Sequence, residues 1–117
     1  MQISNFTDLR VWKKAHQLTI EIYSASKLFP REEMFGLTSQ IRRSSVSVGA
    51  NIAEGHRKRT KDFARFLEIS QGSLQETKYH LILSKDLGYL TESHFDKLFA
   101  EAEDIGKMLT GLRNRLL

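Results

Sequence analysis

Arg57, Lys58, Arg59 and Lys61 place four positive side chains within five positions, and Arg42 and Arg43 add two more upstream. Clusters of this kind neutralise phosphates and gain free energy from released counterions, so they point to polyanion binding. No aromatic residue interleaves the run, which argues against base stacking. The contacts expected are backbone-directed, salt-sensitive and weakly sequence-specific. The competing reading is a solvated loop whose charge only aids solubility, on a structural or protein-binding scaffold.

A second pair of residues bears on catalysis. Arg10 and His16 are separated by five residues, the loose spacing of helical ribonucleases of the HEPN type. There an arginine holds a phosphate while a histidine moves a proton. On a straight helix, however, six positions set two side chains about 240° apart. Val11 also follows the arginine, where that group usually carries a polar residue. A third feature is the polar pair Asn51 and Glu54, read as hydrogen-bonding groups at helix ends or subunit contacts. Glu54 precedes Lys58 by four positions, a pairing that contributes about 0.3–0.5 kcal/mol.

Other chemistries find no support in the residue pattern. His16, His56, His80 and His94 include no pair four apart and no zinc signature, and each reads as a surface or cap residue. Phosphate-cradling and dinucleotide glycine motifs are missing, no serine sits in a nucleophile elbow, and the carboxylates are scattered. There is no cysteine, which excludes disulfides and thiolate chemistry and fits a reducing cytosol. The expectation is a non-catalytic protein without metal or cofactor.

The elements that carry these residues follow from spacing. Leu9, Trp12, Ala15, Leu18, Ile22, Ala25 and Phe29 recur every three or four positions, predicting a first helix over about 7–28 that Phe29-Pro30 ends. A second begins near Gly36 or Leu37, with a stripe of Leu37, Ile41, Ser45, Val48 and Ile52. Small or apolar groups fill most of its remaining circumference, leaving Gln40, Arg43, Ser47, Asn51, Glu54 and Lys58 as the polar strip. So little polar surface predicts packing on more than one side, in the bundle centre or at an oligomer contact.

Gly55 is the expected C-cap, and Thr60 the expected side-chain N-cap of a third helix. Its core stripe is Phe63, Phe66, Leu67, Ser70, Leu74, Thr77 and Leu81, and Gly72 within it suggests close backbone approach. Gly88 stops that helix and Thr91 caps a fourth, lined by Phe95, Leu98, Phe99, Ala102, Ile105, Leu109, Leu112 and Leu116. Short connections imply antiparallel neighbours. The fold expected is an all-α, antiparallel up-down four-helix bundle formed by one domain over residues 1–117.

Composition agrees: 40% hydrophobic and 27% charged residues is a globular balance rather than a disordered one. The formal charge of +4 divides as +2 over residues 1–30, +4 over 31–61 and −2 over 62–117. Leu81-Ile82-Leu83 is the longest aliphatic run, far short of the ~20 residues of a membrane span. The opening Met1–Phe6 shows no leader pattern, so a soluble, cytoplasmic protein is expected.

Several blocks together resemble a known family. They are Phe6-Thr7-Asp8-Leu9-Arg10-Val11-Trp12 with Tyr23, Phe29-Pro30, and Phe35-Gly36-Leu37-Thr38-Ser39-Gln40-Ile41-Arg42-Arg43. Ser47-Val48-Gly49-Ala50-Asn51-Ile52-Ala53-Glu54-Gly55 is the most distinctive. Phe66-Leu67-Glu68-Ile69-Ser70-Gln71-Gly72-Ser73 and Glu76 complete the set. In order and spacing they are similar to the bacterial four-helix-bundle proteins encoded in intervening sequences of large-subunit (23S) ribosomal RNA genes. The resemblance implies a homopentameric ring with no assigned enzymatic activity. It also implies kinship with the accessory variability protein of diversity-generating retroelements, which partners a reverse transcriptase and binds nucleic acid, RNA or DNA, on a basic surface. Gly49 replaces a proline common in relatives, which softens any kink in the second helix.

Overall fold

The computed structural model describes residues 5–117; Met1–Ser4, part of the stretch read for a leader pattern, lie outside them. Four helices follow one another: α1 (Arg10–Ser26), α2 (Leu37–His56), α3 (Thr60–Asp86) and α4 (Glu92–Leu116). Short 3-10 turns at Phe6–Asp8 and Arg31–Glu33 precede α1 and α2. Among the described residues there is no strand, and no helix is long and apolar enough to cross a membrane.

Side-chain pairs fix the up-down order. Between α1 and α2, Thr19 Oγ1 donates to the Ser45 carbonyl at 3.1 Å and Arg42 Nε to Ser26 Oγ at 2.8 Å. Rising numbers on one helix meet falling numbers on the next. The same holds for Ser47–Ser73 and Val48–Ser70 between α2 and α3, and for Lys78–Glu103 and Gln71–Thr110 between α3 and α4. The predicted stripes meet in the centre, where Ile22, Ile41, Ile52, Leu67, Leu74, Leu81, Leu98, Ile105 and Leu109 are almost wholly buried.

Helix ends divide into those read correctly from sequence and those not. Gly88, at φ +82°, is the only residue among those described with a positive φ, and it closes α3 as predicted. Its N–H donates to the Lys85 carbonyl at 2.9 Å and that of Tyr89 to Ser84 at 2.8 Å, satisfying the last turn. Thr91 Oγ1 accepts from the His94 N–H at 3.1 Å and caps α4. Gly55, by contrast, is not a cap: α2 continues through His56, and Arg57 terminates it. Thr60 is the first residue of α3, whose N-cap Arg59 provides no side-chain hydrogen bond.

The true role of Gly55 is steric. A Cβ there would stand 2.5 Å from Phe66 Cβ and 3.0 Å from Phe63 Cδ1, so α2 and α3 touch at this point only because the side chain is missing. Gly72, where the sequence suggested such an approach, has nothing within 4 Å of its notional Cβ. Beside the apolar core, buried hydroxyls line the α2–α3 seam. Ser44, Ser70, Thr77 and Ser84 are each no more than 1% exposed. Ser70 Oγ donates to the Val48 carbonyl at 2.9 Å and Ser84 Oγ to that of His80 at 2.7 Å, so their burial is not penalised.

On the opposite side, Lys97 Nζ bridges α4 to Glu21 of α1 at 2.5 Å and lies 3.7 Å from Glu101. Burial would raise Glu21, but hydrogen bonds from Glu101 and Lys97 overcome it and hold that carboxyl below its ordinary range. At Glu101, burial, the hydrogen bond with Glu21 and the charge of Glu21 act together and push the carboxyl up to about 7.

Two predictions follow from these seams. Gly55→Ala should lower stability by about 1–3 kcal/mol through overpacking, whereas Gly72→Ala should raise it by about 0.5–1 kcal/mol; urea unfolding of both variants measures the pair. A carboxyl with a raised folded pKa stabilises while protonated and loses that contribution as pH rises from about 4.5 through 7. Glu101→Gln should therefore raise the melting temperature at pH 8, by about 1 kcal/mol of stability once screening of this 34% exposed side chain is allowed for. At pH 5 the gain should vanish.

Candidate nucleic-acid interface

The basic connection forms where α2 stops and α3 starts. The Lys58 N–H donates to the Gly55 carbonyl at 2.9 Å, turning the chain, and Arg59 in extended conformation leads into α3. Arg57, Lys58, Arg59 and Lys61 are all exposed. Lys58 Nζ stands 3.7 Å from Glu54 Oε1, the expected helical pair. Among the described residues, Arg57, Arg59 and Lys61 have no carboxylate within 4.0 Å. The uncapped N-terminus of α3 adds amide donors and the positive end of a helix dipole to the same corner.

Arg42 and Arg43 do not join this corner. Adjacent residues on a helix point 100° apart, and here they diverge to opposite flanks of α2. Arg42 lies against α1, bonded to Ser26 Oγ and stacked 4.7 Å above the Tyr23 ring. Arg43 turns to α3 and pairs with Glu76 at 2.9 Å. Arg57 follows Arg43 by fourteen positions, about 21 Å along the axis. Asn51 is likewise occupied in the seam, its Nδ2 donating to the Ser47 carbonyl at 2.8 Å and to Ser47 Oγ at 3.0 Å. Ser47 in turn lies 2.9 Å from Ser73 of α3. Within the predicted polar strip Ser47 and Asn51 are therefore partly buried in the helix–helix contact, whereas Gln40, Arg43, Glu54 and Lys58 are exposed.

Arg10 and His16 fall on different sides of α1. His16 stacks on Trp12, with centroids 4.8 Å apart and planes 9° from parallel, on the flank next to α2. Arg10 lines a groove against α4. One further arrangement catches the eye for catalysis. Ser44 Oγ is 3.2 Å from His80 Nδ1, and His80 Nε2 is 3.9 Å from Glu76 Oε2. Ser44 Oγ is also 2.8 Å from Thr77 Oγ1 and 3.3 Å from the Ile41 carbonyl, and the residue is only 1% exposed. A nucleophile so enclosed meets no substrate, and this is seam packing. His80, expected at the surface, is buried; burial holds its imidazole below the ordinary value, with Glu76 opposing and Arg43 reinforcing the shift.

Topology reveals basic residues that linear reading missed. The up-down order brings the start of α1 and the end of α4 to the same end of the bundle as the α2–α3 connection. That end therefore also carries Arg10, Lys13, Lys14, Arg65, Lys107, Arg113 and Arg115. Dividing each helix at its midpoint gives this half eleven basic and five acidic residues, net +6, against seven and nine, net −2, in the other half. Arg113 is neutralised by Glu68. The molecule is strongly polarised along its axis, and segment-by-segment charge does not reveal it.

An antiparallel four-helix bundle with one basic end and a hydroxyl-lined seam between α2 and α3 places the chain among small all-α bundle proteins. The chain belongs to the family described as 23S rRNA-intervening sequence protein, whose model matches residues 7–111. A solved structure similar to it is that of a protein with unknown function from the S23 ribosomal protein family of Bacteroides thetaiotaomicron. The two are 30% identical with a TM-score of 0.78, over 87% of this chain and 96% of that one. No curated protein matches the chain.

Proposed function

We propose that this chain is a non-catalytic module that assembles into a homopentameric ring and presents its basic end to RNA or DNA. The observation that carries the reading is the exposed run of Arg57, Arg59 and Lys61, without carboxylate partners, at the end of the bundle with net charge +6. Phosphodiester chains are the polyanions such a surface attracts, through counterion release rather than base recognition. Arg42 and Arg43 stand outside this interface, engaged on the two flanks of α2.

Exposed apolar side chains on two parts of the surface support assembly. Ile20 (49% exposed) and Tyr23 of α1 lie with Val46 (45%) of α2 on one side, and Ile69 (44%), Tyr79 (58%) and Ile82 are spread along the outer face of α3. A head-to-tail contact between unlike patches closes into a ring when the rotation fits. Five copies would repeat the basic end around one axis and raise avidity without new contacts. Beside the core stripe of α2, Thr38 is buried, whereas Val46 and Ala50 are exposed and Gly49 and Ala53 partly so.

The test combines mass in solution with salt-dependent binding. Light scattering should give a pentamer. Titration with single-stranded RNA and duplex DNA should show affinity falling with salt, with a log–log slope of about −3 to −4 per four contacts. Changing Arg57, Lys58 and Arg59 together to Glu should weaken binding at least tenfold and flatten that slope. A monomer would overturn the ring, and unchanged affinity in the variant would overturn the interface. A pentamer that binds neither nucleic acid would instead be a scaffold.

A further inference from the structure

A groove of about 640 Å³ lies between the start of α1 and the last three turns of α4. Its make-up differs from the α2–α3 corner. Leu9, Met108 and Leu112 supply an aliphatic floor, and Arg10, Lys107 and Arg115 stand at its margins. All three cations are exposed, and among the described residues none has a carboxylate within 4.0 Å.

Spacing along α4 gives the groove a direction. Lys107, Gly111 and Arg115 follow one another at intervals of four, so they form a line along the helix with the two cations about 12 Å apart. Gly111 sits between them. A Cβ there would meet only Arg115 Nη1, at 3.8 Å, so the glycine is not required by packing within the chain. Its effect is to leave the middle of the groove open down to the α4 backbone.

We infer that this groove is a docking site for an acidic amphipathic helix of a partner protein. Carboxylates seven or eight positions apart on a helix are about 10.5–12 Å apart, which matches the spacing of Lys107 and Arg115. Leucine-type anchors between them would cover Leu9, Met108 and Leu112, the helix-in-groove mode of recognition. Gly111 lets the two helix backbones approach closely. A nucleic-acid strand fits less well: the floor has no aromatic side chain on which a base could stack, and phosphates gain nothing from aliphatic surface. Its lining residues are distinct from Arg57–Lys61.

The experiment uses the full chain and a fluorescein-labelled sixteen-residue helical peptide with leucines three and four apart and glutamates eight apart on the flanking face. Wild type should bind it saturably, and a control peptide with the leucines replaced by serine should bind at least tenfold more weakly. Gly111→Leu, which fills the groove while keeping every charge, should weaken peptide binding at least tenfold and leave the affinity for single-stranded RNA unchanged. Lys107→Glu with Arg115→Glu should abolish peptide binding. Circular dichroism of Gly111→Leu should show an intact fold, since glycine is being replaced by a better helix former. No saturable peptide binding, equal binding of the serine control, or unaltered binding by Gly111→Leu would each overturn the proposal. So would displacement of the peptide by RNA together with RNA affinity lost in Gly111→Leu, which would make the groove a nucleic-acid subsite.

Discussion

The bundle depends on how closely α2 and α3 approach. Gly55 allows it at the closed end, where a methyl group would collide with Phe66, and Ser44, Ser70, Thr77 and Ser84 allow it along the rest of the seam. Small residues bring two backbones together, but buried hydroxyls would be costly if unpaired. Each of these four lies within hydrogen-bonding distance of a backbone carbonyl on its own or the facing helix. The seam thus approaches closely without leaving its buried hydroxyls unpaired. With α2 and α3 locked, α1 and α4 can close over the remaining apolar stripes.

That lock also sets the electrostatics. The Arg57–Lys61 turn is short because α2 runs to His56 and α3 starts at Thr60. Antiparallel packing then places the beginning of α1 and the end of α4 beside it. Eleven of the eighteen basic side chains gather in one half of the molecule as a consequence of topology, and the acidic side chains concentrate in the other. A basic end and a basic-rimmed groove are therefore two consequences of one chain path, although they differ in floor and in the ligands they suit.

Regular spacing of leucine, isoleucine and phenylalanine was enough to place four helices, and Gly88 and Thr91 carried their end signals in their own chemistry. Gly55 and Gly72 show where local signals stop. Both are helical glycines, and only the neighbour across the seam distinguishes the one that is required from the one that is not. His80 and Ser84 were misjudged or missed because a polar residue reads as surface until its buried partner is known. Arg42 and Arg43, adjacent in the chain, reached opposite flanks of α2. The basic turn was legible because it is contiguous; the groove of Arg10, Lys107 and Arg115 was not, because it joins the two ends of the described chain.

Native-state hydrogen exchange, resolved by residue, tests most directly whether the α2–α3 seam underlies the rest. If it does, the amides of Ser44, Val48 and Ile52 and those of Leu67, Ser70 and Thr77 should exchange last, through global unfolding alone, with α1 and α4 opening at lower free energy. Equal or greater protection in α1 and α4, with α2 exchanging through local openings, would contradict the account.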